Sequence, residues 1–117
     1  MLVLKQSEKD IVIIEINGWL TKNDYDVLNP VLDQKISVYN QVKIFIELKD
    51  LDGFTPKAIF EDIKEIKYLK NIKKMAFAGD KEWQKTVTDL ADPVIFLGEV
   101  RYFPLKEKAK AMEWLNE

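Results

Sequence analysis

Short β-branched runs alternate along this chain with stretches in which apolar residues return every three or four positions. No other feature limits its fold as much. Residues 2–5 and Ile11–Asn17 read as two strands separated by a polar turn, which predicts an antiparallel hairpin. Gly18 ends the second strand. Thr21 then reads as a helix cap, with Asp24 three residues on in a capping-box position. Tyr25, Leu28, Val31, Leu32 and Ile36 follow at helical spacing and predict a helix over 22–38, bent or locally broken at Pro30. Residues 42–48 alternate strictly. Val42, Ile44, Ile46 and Leu48 share one face, and Lys43, Phe45 and Glu47 share the other, which is predicted to be mostly wet.

The pattern repeats to the end. Thr55 and Pro56 open a helix with Ile59, Ile63 and Ile66 as its buried stripe. Residues 74–78 form the next strand. Asp80 caps a helix carrying Trp83, Val87 and Leu90, and Asp92-Pro93 ends it. Residues 99–103 form a last strand, and 106–116 a last helix with Ala109, Met112 and Leu115 facing in. The order ββαβαβαβα predicts a singly wound α/β fold. Its sheet has five strands, mostly parallel, with only the first strand antiparallel and with helices mainly on one face. A length of 117 residues fits one domain over 1–117.

Composition removes several function classes. The chain contains neither cysteine nor histidine. Disulfides, thiolate metal sites, cysteine nucleophiles and imidazole bases are therefore excluded together. No metal or cofactor is expected, and no catalytic constellation is visible. The net charge of −2, with no aromatic–basic surface motif, argues against nucleic acid. Apolar runs fall far short of a membrane span, and the N-terminal run is interrupted by Lys9 and Asp10, so a cytoplasmic location is expected.

Several segments carry a resemblance. Gly53-Phe54-Thr55-Pro56-Lys57-Ala58, Met75-Ala76-Phe77-Ala78-Gly79-Asp80, Glu99-Val100-Arg101-Tyr102-Phe103 and Ala111-Met112-Glu113-Trp114-Leu115 resemble the SpoIIAA-like family, and Gly18-Trp19-Leu20-Thr21 looks like its first strand–helix corner. That family shares its fold with STAS domains and is described as STAS/Sec14-like. The resemblance implies a sheet wound one way with helices on one face, but no known activity. Related folds suggest two roles. Anti-sigma-factor antagonists bind proteins and are switched by phosphorylation of a serine after the third strand, and Sec14-like domains bind lipids. The switch does not carry over. The corresponding stretch reads Asp52-Gly53-Phe54-Thr55-Pro56-Lys57, and the two serines, Ser7 and Ser37, lie elsewhere.

The corners Gly18-Trp19, Gly53-Phe54 and Gly79-Asp80 all follow strands expected to be parallel, so they should open on one sheet edge. Ligands in open α/β folds favour the edge outside the carboxyl ends of the strands. Trp19, Phe54, Phe60 and Trp83 are the expected wall of a site there for an apolar or lipid-like small molecule. The neighbouring Asp24, Asp50, Asp52 and Asp80 make that edge unsuited to phosphate, and no dinucleotide or Walker-A pattern is present. The competing explanation is that glycines simply turn the chain while aromatics cap the core. Phe45 and Trp114 are expected interface residues for a protein partner or a homodimer. Lys57, Lys64, Lys67, Lys70, Lys73 and Lys74 stand against Glu61, Asp62 and Glu65, net +3 over 57–74. A solvated helix face explains them better than peripheral contact with an anionic membrane.

Overall fold

Backbone pairing joins the five strands in the order in which the chain makes them. The computed structural model describes residues 2–5, 8–17, 21–49, 69–80 and 98–117. β1 (Leu2–Leu4) runs antiparallel to β2 (Ile11–Asn17), with Leu2 opposite Ile16 and Leu4 opposite Ile14. β3 (Val42–Lys49), β4 (Ile72–Gly79) and β5 (Glu99–Pro104) are then added one beside the other, all parallel to β2. The sheet is thus mostly parallel and wound in one direction, as the alternation of strand and helix patterns predicts. The helices expected between β3 and β4 and between β4 and β5 lie outside the described residues.

α1 (Lys22–Tyr39) links β2 to β3. Its start is the expected capping box. Asp24 N–H donates to the Thr21 hydroxyl at 3.4 Å, and the Asp24 carboxylate accepts from Thr21 N–H at 2.7 Å. That carboxylate also accepts from Leu2 N–H at 3.0 Å, which ties the helix start to the edge strand. The helix runs through Pro30 without the local break that was one of the two expected outcomes. A proline deletes one backbone donor, but here its ring faces solvent and the rest of the ladder holds.

Parallel strands put alternate residues of every strand on a common face. On the first face lie Val12, Ile14, Ile16, Ile44, Ile46, Leu48, Met75 and Phe77. Leu28 and Leu32 of α1 close over them, and Val100 and Tyr102 flank them. The second face is covered by α2 (Lys108–Leu115), which follows β5 after a 3₁₀ turn at Leu105–Glu107. Ala111 and Leu115 of α2 pack on Ile11, Phe45, Ala76, Ala78 and Phe103.

This second layer corrects the wet-face expectation for β3. Phe45 is 2% exposed and belongs to a core, so it cannot serve as a surface interface residue. The inward stripe of α2 holds at Leu115 and, partly buried, at Met112, and differs at Ala109. Ala109 is exposed, and the buried positions are Ala111 and Leu115. At about 3.6 residues per turn, Ala109 stands roughly 120° from Leu115 around the helix, while Ala111 is its i−4 neighbour on the same face. Among the described residues no helix is long and apolar enough to cross a membrane.

Candidate functional site

The register of the sheet decides where the corners fall. Asn17 at the end of β2 lies beside Lys49 at the end of β3, and Gly79 at the end of β4 lies beside Pro104 at the end of β5. Glu47 pairs with Ala78, so the β3 and β4 ends match as well. Asn17, Lys49 and Gly79 therefore end their strands at one edge of the sheet. Trp19, Phe54, Phe60 and Trp83, the expected wall residues, lie outside the described residues.

The described part of this edge is polar and well tied. Tyr102 O–H donates to the Gly79 carbonyl at 2.9 Å and fixes the end of β4. Burial, followed by the negative charge of Asp80, raises the Tyr102 pKa, so the phenol remains a donor. The Asp24 carboxyl is already engaged in capping α1. Burial by itself would raise its pKa, but the N–H donors of Leu2 and Thr21 and the Thr21 hydroxyl hold it below the ordinary aspartate value.

A row of alternating charges crosses the second face near the same edge. Glu15 accepts from Lys49 at 2.9 Å and pairs with Lys5 at 3.7 Å. Glu47, only 6% exposed, has its Oε2 at 3.1 Å from Lys108 and 3.6 Å from Lys49. The Lys49 hydrogen bond, then that of Asn17, lowers the Glu15 pKa, and the same Glu15 contact raises that of Lys49. Both groups are held charged. The row pins Lys108, at the start of α2, to β3.

The other end of α2 is pinned by Lys74. This cation on β4 is only 6% exposed. Its ammonium donates to the main-chain oxygens of Trp114 at 3.0 Å and Glu117 at 3.3 Å, and lies 5.1 Å from the centre of the Trp114 ring. It satisfies carbonyls at the helix end and complements the negative pole there.

Trp114, the second expected interface residue, is half-buried. Its ring centre lies 6.0 Å from that of Phe103, and Arg101 sits 5.2 Å above Phe103. These three residues, with Glu107, Lys110, Glu113 and Glu117, line a cavity of about 400 Å³ between β5 and α2. Sequence reasoning put Lys74 with a solvated helix face and Glu47 on a wet strand face, where the structure buries both, and it gave Arg101 no role. A lysine or glutamate inside an apolar strand was the available signal for the first two. Among the described residues no group of three acidic, histidine or cysteine side chains could hold a metal ion.

Comparison with known proteins adds the following. The model of the SpoIIAA-like family matches residues 11–116. A solved structure of an uncharacterised protein of the DUF3478 family with a SpoIIAA-like fold, from Shewanella loihica PV-4, is similar with 26% identity and a TM-score of 0.64. The match covers 98% of this chain and 92% of that one. No curated protein matches the chain.

Proposed function

The chain belongs to the SpoIIAA-like family, and from that premise we propose that it works by binding and not by catalysis, holding an apolar or lipid-like small molecule at the edge where its parallel strands end. A binding or regulatory role in general terms is what the family and its fold support. The observation that carries the finer reading is the shared edge at which β2, β3 and β4 end. Glycine and aromatic residues follow each strand there, and such corners allow close backbone approach beside an apolar wall. Trp19, Phe54, Phe60 and Trp83 supply that wall. The test is organic extraction and mass spectrometry of gently purified protein, with tryptophan fluorescence followed during fatty-acid titration. Saturable quenching that is lost in Trp19→Ala or Trp83→Ala is expected. A flat response together with an empty extract overturns the reading.

A second reading is a protein-interaction or regulatory module that lacks the phosphorylatable serine. Half-buried Trp114 beside the Arg101–Phe103 cavity favours it. It expects the oligomeric state, or cross-linking to a second copy, to change in Arg101→Ala. A strictly monomeric protein that is insensitive to that substitution counts against self-association.

A further inference from the structure

At the opposite edge of the sheet, where β3, β4 and β5 begin, a second cavity of about 320 Å³ opens. Two local irregularities build it. α1 stops at Asn40, which takes the left-handed conformation (φ 67°) and turns the chain through Gln41 into β3. Asparagine tolerates that conformation better than other non-glycine residues. The second irregularity is in β4. Val42 faces Ile72 but Lys43 faces Lys74, so Lys73 is one residue too many for the ladder. Such a bulge re-aims a side chain. Ile72 and Met75 keep to the first face, and Lys73 is turned out into solvent beside Lys70 of the preceding 3₁₀ turn.

The lining has one sign. Lys70 and Lys73 bring two ammonium groups, and Asn40, Gln41 and Asn71 bring amide donors. Gly98 adds backbone without a side chain, and among the described residues no carboxylate lines the cavity. Neither lysine is ion-paired among the described residues, whereas Lys5, Lys43, Lys49, Lys108 and Lys110 all are. Among the described residues, nearby acids do not cancel this charge. Asp10 is taken by Lys43 at 3.7 Å, and Glu99, next to Gly98, is exposed and outside the lining. Two unpaired ammonium groups among amide N–H donors, in a concave site, match the charge and the acceptor oxygens of a phosphate monoester.

We propose that this amino-end cavity is a binding site for a phosphate monoester, carried either by a small soluble molecule or by a lipid headgroup. It lies at the edge opposite the proposed apolar site and stands independently of it. The test follows the amide signals of Asn40, Gln41, Asn71 and Gly98 by NMR during titration with glycerol 3-phosphate. In parallel, the protein is sedimented with phosphatidylcholine vesicles prepared with and without phosphatidic acid.

Saturable shifts at those residues are expected. The double variant K70Q/K73Q should bind about tenfold more weakly or worse, since it loses two charge-assisted contacts. K106Q, an exposed lysine elsewhere, should bind as the parent does. Both altered lysines are exposed, and an unchanged thermal midpoint verifies that the double variant is folded. Sedimentation that needs phosphatidic acid and Lys70/Lys73 identifies a headgroup. Titration without sedimentation identifies a soluble ester. Absence of both, or an equal loss in K106Q, overturns the proposal.

Discussion

The two faces of the sheet are held by different physics. Beneath α1, thirteen residues from Leu2 to Phe77 form a wholly apolar cluster, and each gains by leaving water. Beneath α2, a small apolar patch around Phe45, Ala76 and Phe103 is bordered by ionised groups: Glu47, Lys74, Glu15 and Lys49. There the helix is positioned as much by charge as by packing. Lys108 meets Glu47 near its start, and Lys74 meets the carbonyls near its end. An apolar face tolerates sliding, because burial has no direction. A face with fixed charges at both ends of a helix sets one position for it.

The largest test of this contrast is cavity formation. Phe77→Ala on the first face and Phe45→Ala on the second should each destabilise by about 3–5 kcal/mol in urea unfolding. If Phe45→Ala cost under about 0.5 kcal/mol, as surface positions do, the second face would not be core and the comparison would fail.

Next in size is Lys74. Lys74→Ala should cost about 1–3 kcal/mol, because it removes charge-assisted bonds to the end of α2. Lys74→Met keeps the apolar stem, and a comparable loss there would assign the effect to charge. A change in Trp114 emission should accompany both.

Acid provides the third test. The folded pKa values of Glu15 and Asp24 lie below their unfolded ones. Their contribution is therefore complete above the unfolded values near 4, and is lost as pH falls through the folded values. Glu15→Gln and Asp24→Asn should each flatten the acid limb of the urea midpoint against pH. Asp24→Asn should also cost about 1 kcal/mol at neutral pH through its cap. The smallest effect belongs to Lys5→Gln. In the 3.7 Å contact with Glu15 the Lys5 side chain is 41% exposed, and its loss should cost under about 0.5 kcal/mol and weaken in high salt.

The contrast also explains what the sequence disclosed. The first face was legible because a period of two in β2 and β3 and a period near 3.6 in α1 are local signals, and the capping box at Thr21 was legible for the same reason. The second face was not. Lys43, Phe45 and Glu47 alternate in a way that reads as solvent-facing, and nothing near residue 45 signals that Ala111 and Leu115 will cover it. The bulge at Lys73 exists only relative to β3, so no single strand could announce it. For the carboxyl-end site, the parallel order gave the common edge, while the side chains named for its wall lie outside the described residues. Trp114 was expected at an interface, and its attachment to Phe103 and Lys74 depended on strands far away in sequence.

The seat of α2 has a consequence for biosynthesis. All five described strands precede residues 108–115, so the segment that covers the second face is synthesised last among the described elements. Until that segment docks, Phe45 and Phe103 lack the cover of Ala111 and Leu115, and Glu47 lacks its contact with Lys108. The nascent sheet presents a sticky patch framed by charge, and exposed apolar surface of this kind drives association between unfinished chains. The acidic and basic groups around that patch oppose such encounters and then guide the last helix into place. A protein fusion or truncation that delays or removes α2 should therefore be read first in aggregation during expression, before any loss of binding.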